Sequence, residues 1–128
     1  MKKSELGLRG ETLAAEYLKE KGYNIVERNY RSGHLETDII CENDERVIFV
    51  EVKTRTPASA RFSRPSASVD AKKAARLIAC AEAYIREKGL AGKMPKRVRI
   101  DVVEVLVDKN DVKINHIENA VMKKESVD

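Results

Sequence analysis

The stretch VIFVEVKTR, residues 47–55, is strongly apolar until Glu51 and Lys53 interrupt it two residues apart. Successive side chains on a strand point to opposite faces, so Glu51 and Lys53 share one face with Val47, Phe49 and Arg55, while Ile48, Val50 and Val52 take the other. A charge set among such neighbours costs about 1–3 kcal/mol or more unless a partner uses it. This strand therefore poses the question of fold and the question of function together.

Working outward, the turn-prone ENDE (42–45) precedes the stretch, and before it Leu35–Cys41 and Tyr23–Arg31 have strand character, making a meander of three strands. Ahead of the meander, Leu6, Leu13, Ala14, Tyr17 and Leu18 fall on one face of a helix expected over Ser4–Lys21, with Ser4 as N-cap and Gly22 as its end. Behind the stretch, TPASARFSRPSAS (56–68) holds two prolines, Arg61 and Arg64 and reads as a mobile basic loop. A second helix is expected over Val69–Lys88, and RVRIDVVEVLV (97–107) and DVKINHI (111–117) read as two more strands. The order predicts an α/β fold, a mixed central sheet flanked by helices, with 1–118 as a single domain and 119–128 as a flexible tail.

With 128 residues, 25 Lys and Arg and 21 Asp and Glu, the chain carries a formal charge of +4, which permits an anionic partner such as nucleic acid without requiring one. Cys41 and Cys80 sit in apolar runs without C-x-x-C spacing and read as reduced core residues. His34 and His116 lie far apart and near no cysteine pair, which argues against zinc. No run approaches the ~18–20 apolar residues of a membrane span, and the N-terminal stretch lacks the apolar core of a signal peptide. The expectation is a cytoplasmic protein with no membrane partner.

The charges gather. Glu36, Asp38 and Ile40 share a strand face, and an even-length loop such as Asn43-Asp44 would give opposed residues odd sums, setting Asp38 against Glu51 or diagonal to it. Glu11 falls within the apolar arc of the first helix, and Lys73 lies one turn before Leu77 on the apolar face of the second. Two facing carboxylates suit a hard divalent cation, Mg or Mn, which binds through one or two carboxylates plus waters and phosphate. A lysine beside it, Lys53, can hold the attacking water or neutralise charge developing on a phosphoryl group. The chemistry indicated is metal-assisted phosphodiester hydrolysis, with Asp38 and Glu51 as metal ligands.

Asp38 followed by Glu51-Val52-Lys53 also resembles the signature of the PD-(D/E)XK nuclease superfamily. The blocks GETLAAEYLKEKGYNIVERNYR, ETDII, VIFVEVKTR, KKAARLIACAEAYI and RIDVVEV, in this order and reaching about Val107, are similar to the small bacterial YraN family. That resemblance implies a restriction-endonuclease-like αβββαβ core akin to archaeal Holliday-junction resolvases, so that residues 1–118 form a nuclease-like domain, with Glu11, Asp38, Glu51 and Lys53 at the catalytic positions. One position departs: Leu35 stands where the family usually has glycine before Glu-Ile-Asp. If that glycine admits a phosphate or a neighbouring backbone, Leu35 narrows the approach.

Each candidate has a blander alternative. Glu51 with Lys53 could form a surface ion pair, Asp38 could be an edge carboxylate, and Glu11 could serve the helix dipole or pair with Arg28 or Arg31. Lys73 could extend its ammonium to solvent rather than bind phosphate. Glu36 reads as a solvated or ion-paired neighbour, and Asp101 as the partner of a buried group. Arg55, Arg61, Arg64 and Lys73 are the candidate nucleic-acid contacts. The leading reading is an endonuclease acting on DNA, branched DNA included, with a homodimer left open. The competing readings are a non-cutting nucleic-acid- or protein-binding module on a nuclease fold, and a purely structural protein that would leave the inward charges unexplained.

Overall fold

A computed structural model of the protein describes residues 3–60, 69–89 and 97–121. Helix α1 (Glu5–Glu20) begins where Ser4 Oγ accepts the Gly7 N–H at 3.0 Å, and it buries Ala14, Ala15 and Leu18. Gly22, at φ +94°, turns the chain out of the helix in a conformation that costs glycine little. Strands β1 (Asn24–Ser32), β2 (Leu35–Glu42) and β3 (Arg46–Arg55) follow as the expected antiparallel meander. The odd-sum register between β2 and β3 holds, but the tight turn is Asp44-Glu45, one residue later than expected. Asn43 moves it: its Oδ1 accepts the N–H groups of Glu45 and Arg46 at 2.9 and 2.8 Å.

The basic loop opens with a short helix, α2 (Pro57–Ala60), and its remainder, with Arg61 and Arg64, lies outside the described residues. Helix α3 (Ala71–Glu87) starts at Asp70, whose carboxylate accepts the Lys73 N–H at 2.8 Å. It lies on the crossover that lets β4 (Arg97–Asp108) run parallel to β3, and β5 (Asp111–Val121) returns antiparallel to β4. The sheet order is β1-β2-β3-β4-β5. This α/β arrangement, a five-stranded mixed sheet flanked by α1 and α3, is compatible with a restriction-endonuclease-like fold.

Strand parity divides the core as the sequence implied. Ile39, Cys41, Ile48, Val50, Val103 and Val105 pack under α1, whereas Tyr30, Ile40, Val47, Phe49 and Ile100 pack under Leu77, Cys80, Ala81 and Tyr84 of α3. Glu51 therefore belongs to the α3 side of the sheet, where Lys73 meets it, whereas Asp38, of the same parity, turns its carboxylate to the cavity it shares with Glu11 of α1. Both cysteines are buried and unbridged, and burial pushes the Cys41 thiol up to about 12. Three residues of the expected tail instead continue β5, because Asn119 N–H donates to Asp101 at 2.9 Å and Val121 is buried opposite Ile100. Residues 122–128 lie outside the described residues. Among the described residues no helix is long and apolar enough to cross a membrane.

Candidate active site

The β2–β3 ladder runs from Glu42↔Val47 to Ile39↔Val50, and one further step of the same register sets Asp38 opposite Glu51. There regular pairing gives way: Asp38 Oδ2 accepts the Val52 N–H at 2.8 Å. On its other side the β1–β2 register sets Asn29 opposite Asp38, and Asn29 has a left-handed φ of 54°, a conformation asparagine enters more readily than most side-chain-bearing residues. Asp38 thus lies where both neighbouring strands leave regular β geometry, its carboxylate held by a main-chain donor.

Glu11 arrives from α1 because Gly10 lets the helix approach β3 closely. A β-carbon at Gly10 would lie 1.8 Å from Thr54 Oγ1. Glu11 is 2% exposed; its Oε2 pairs with Lys3 Nζ, and its Oε1 is buried with no hydrogen-bond partner among the described residues. The Lys3 ammonium also lies 2.7 Å from Asp38 Oδ1 and so bridges the two acids. Burial works against its charge, but the hydrogen bonds to Asp38 and Glu11 prevail and raise its pKa.

Glu51, 9% exposed, has Lys73 Nζ at 2.6 Å from its Oε2. Burial first, then the charge of and hydrogen bonding with Asp38, push its carboxyl up to about 7 against the opposing pull of Lys73. Lys73 is 39% exposed along its side chain, so solvent weakens that pull. Lys53 shares the strand face of Glu51, is half-buried, lies opposite Glu104 in the parallel register and makes no ion pair with a described residue.

Several candidates have partners that the sequence did not reveal. Lys73, expected at phosphate, stands on Glu51. Arg55, expected on nucleic acid, has its Nε 2.7 Å from Glu104 Oε2, with both side chains mostly buried. Arg28 donates to Thr12 at 3.2 Å and Arg31 lies 3.3 Å from Glu36, so neither pairs with Glu11. Leu35 is half-buried against the α3 core, which gives it a packing role. Asp101 has the buried partners expected of it: Arg99 Nε at 2.8 Å, His116 Nε2 at 2.7 Å and the Asn119 N–H. Burial opposes its charge, but the hydrogen bonds from His116, Arg99 and Asn119 win and hold its carboxyl below the ordinary range. Sequence reasoning missed Lys3, which precedes the helix and so belongs to no periodic pattern. It also missed His116, whose Nδ1 lies 3.1 Å from Tyr17 Oη.

Among the described residues no group of three or more His, Cys, Asp and Glu side chains stands at metal-binding spacing. The chain matches the model of "Uncharacterised protein family UPF0102" over residues 10–105, a span that holds Glu11, Asp38, Glu51, Lys53 and Lys73 but not Lys3. A UPF0102 protein of Syntrophomonas wolfei is 44% identical over 116 residues, covering 91% of this chain and 96% of the relative. UPF0102 proteins of Alkaliphilus oremlandii and Bacteroides thetaiotaomicron are 40% and 37% identical over 91% of this chain, covering 97% and 92% of their own lengths.

Proposed function

We propose, for a chain that belongs to the uncharacterised protein family UPF0102, a metal-dependent nuclease of the PD-(D/E)XK kind that hydrolyses phosphodiesters in DNA, branched DNA included. The observation that carries this reading is the opposed, buried Asp38–Glu51 pair at the point where the β2–β3 ladder opens. Two carboxylates with no nitrogen or sulfur donor suit Mg or Mn, whose remaining coordination positions go to water and a substrate phosphate. Asp38 and Glu51 would hold the ion. When bound, such an ion polarises a phosphoryl oxygen and acidifies a water.

The protein's own residues do the rest. The Val52 N–H orients the Asp38 carboxylate, and Lys73 holds Glu51 from the α3 side. Lys53, unpaired among the described residues, keeps its ammonium available to hold the attacking water or to neutralise charge on the phosphoryl oxygens. A second reading, a module that binds nucleic acid without cutting it, draws support from Lys3 and Lys73, which already neutralise the acids that would hold the metal.

The test is a cleavage panel of branched, single-stranded and duplex DNA with Mg or Mn, using Glu51→Ala as the control for contaminating nuclease, alongside calorimetric metal titration. The nuclease reading expects cleavage absent in Glu51→Ala and metal binding lost in Asp38→Ala. Binding of DNA without cleavage by the wild type would favour the second reading, and undiminished metal binding in Asp38→Ala would remove the site.

A further inference from the structure

We infer that Glu11 and Asp38 form a cation site that the chain fills with its own Lys3, so that a divalent ion entering it displaces the Lys3 ammonium and frees the segment ahead of α1. The inference rests on the metal reading above, with which it shares Asp38, and names what a divalent ion must displace to reach that carboxylate. Lys3, Ser4, Gly7, Glu11, Asp38 and Thr54 contribute to a cavity of about 200 Å³. Lys3 spans one oxygen of each acid, and the other oxygen of Glu11, 2% exposed, has no partner among the described residues. One ammonium therefore leaves the site incompletely satisfied. A hydrated divalent ion would bring more donors and more charge to the same locus.

Displacement is cheap for the fold. Lys3 lies one residue before the N-cap, so its side chain can withdraw while Ser4 Oγ still accepts the Gly7 N–H. Its side chain is 28% exposed and already has a route to solvent. A tethered cation competes at an effective concentration in the millimolar range, so it rejects weakly held ions and sets a threshold for divalent metal. The same two carboxylate contacts occupy the Lys3 amine and slow its reaction with an amine-acylating reagent.

The experiment combines calorimetric Mn²⁺ titration of wild type and Lys3→Met with acetylation of wild-type lysines, with and without Mn²⁺, read residue by residue by mass spectrometry. The expected result is Mn²⁺ binding about tenfold tighter in Lys3→Met, the equivalent of one charged hydrogen-bonded contact. In the wild type Mn²⁺ should speed acetylation of Lys3 and leave the exposed Lys113 unchanged. Binding confined to Lys3→Met would support the inference in its strongest form. Equal affinities, or Lys3 acetylation unchanged at Mn²⁺ saturation, would overturn the inference and leave the metal site standing, whereas no Mn²⁺ binding in either protein would overturn both. Should Lys3→Met not fold, acetylation of the wild type decides alone.

Discussion

Glu51→Gln is the most informative single change in the metal-free protein. The Glu51 carboxyl, 9% exposed, is pushed from its ordinary 4.5 up to about 7, chiefly by burial and secondarily by Asp38. A raised folded-state pKa means that the native protein binds this proton more tightly than the unfolded chain does. The associated stability is fully present below about pH 4.5, declines as pH rises and is lost once pH passes about 7. At about 1.4 kcal/mol per pH unit, a shift of that size amounts to roughly 3 kcal/mol across the window. Glutamine keeps the size and polarity and removes the titration, while Lys73, partly exposed, stays hydrated without its partner. Urea unfolding followed by circular dichroism between pH 4.5 and 8, with chelator present, should give curves that separate as pH rises, the glutamine variant gaining on wild type by roughly that 3 kcal/mol. Parallel curves would refute the reasoning and mark Glu51 as an ordinary ion-pair partner of Lys73.

Three further outcomes follow from the geometry. Lys53→Met should fold and bind metal as wild type does while cleavage falls by ~10²-fold or more, the loss expected when a charge that stabilises the transition state is removed; equal cleavage rates would make Lys53 structural. Gly10→Ala should lose about 1–3 kcal/mol in denaturant unfolding, because the new methyl overlaps Thr54, and Thr54→Ala should recover part of the loss. Asp101→Asn should cost about 3–5 kcal/mol by stranding Arg99 and His116, with metal titration unchanged because Asp101, registered with Val50, takes the opposite sheet face from Glu51. The lowered pKa of Asp101 also sets its sign: its stabilisation is present above the ordinary carboxylate pKa of 3.8 and is lost as pH falls through the depressed native value.

How much of this could be read from the sequence depends on whether a contact was local. Parity along residues 47–55 fixed which side chains share a face, and the short loop before them implied an odd register, so it was legible that Asp38 and Glu51 stand opposed or diagonal, but not which, since Asn43 moves the turn by one residue. The parallel β3–β4 register was not, because a long crossover leaves strand offset undetermined; the Arg55–Glu104 pair was hidden with it. The length of β5 was misjudged for a related reason. The ladder shifts between Ile100 and Val102, and the Asp101 contact that orders Asn119 lies on another strand.

The inward charges found partners that sequence pattern could not supply, and those partners change what the site means. Three acids, Glu11, Asp38 and Glu51, converge on two lysines, Lys3 and Lys73. The carboxylates outnumber by one the ammonium groups that touch them. Burial first, and then the neighbouring Asp38, raise the Glu51 pKa although a lysine lies 2.6 Å away, so taking up a proton is the metal-free route to relieving that excess. A site built only to hold the fold together would gain by losing one of these acids, since a buried charge with incomplete pairing costs several kcal/mol. On the reading proposed above, a divalent ion would supply the positive charge that the two lysines leave short.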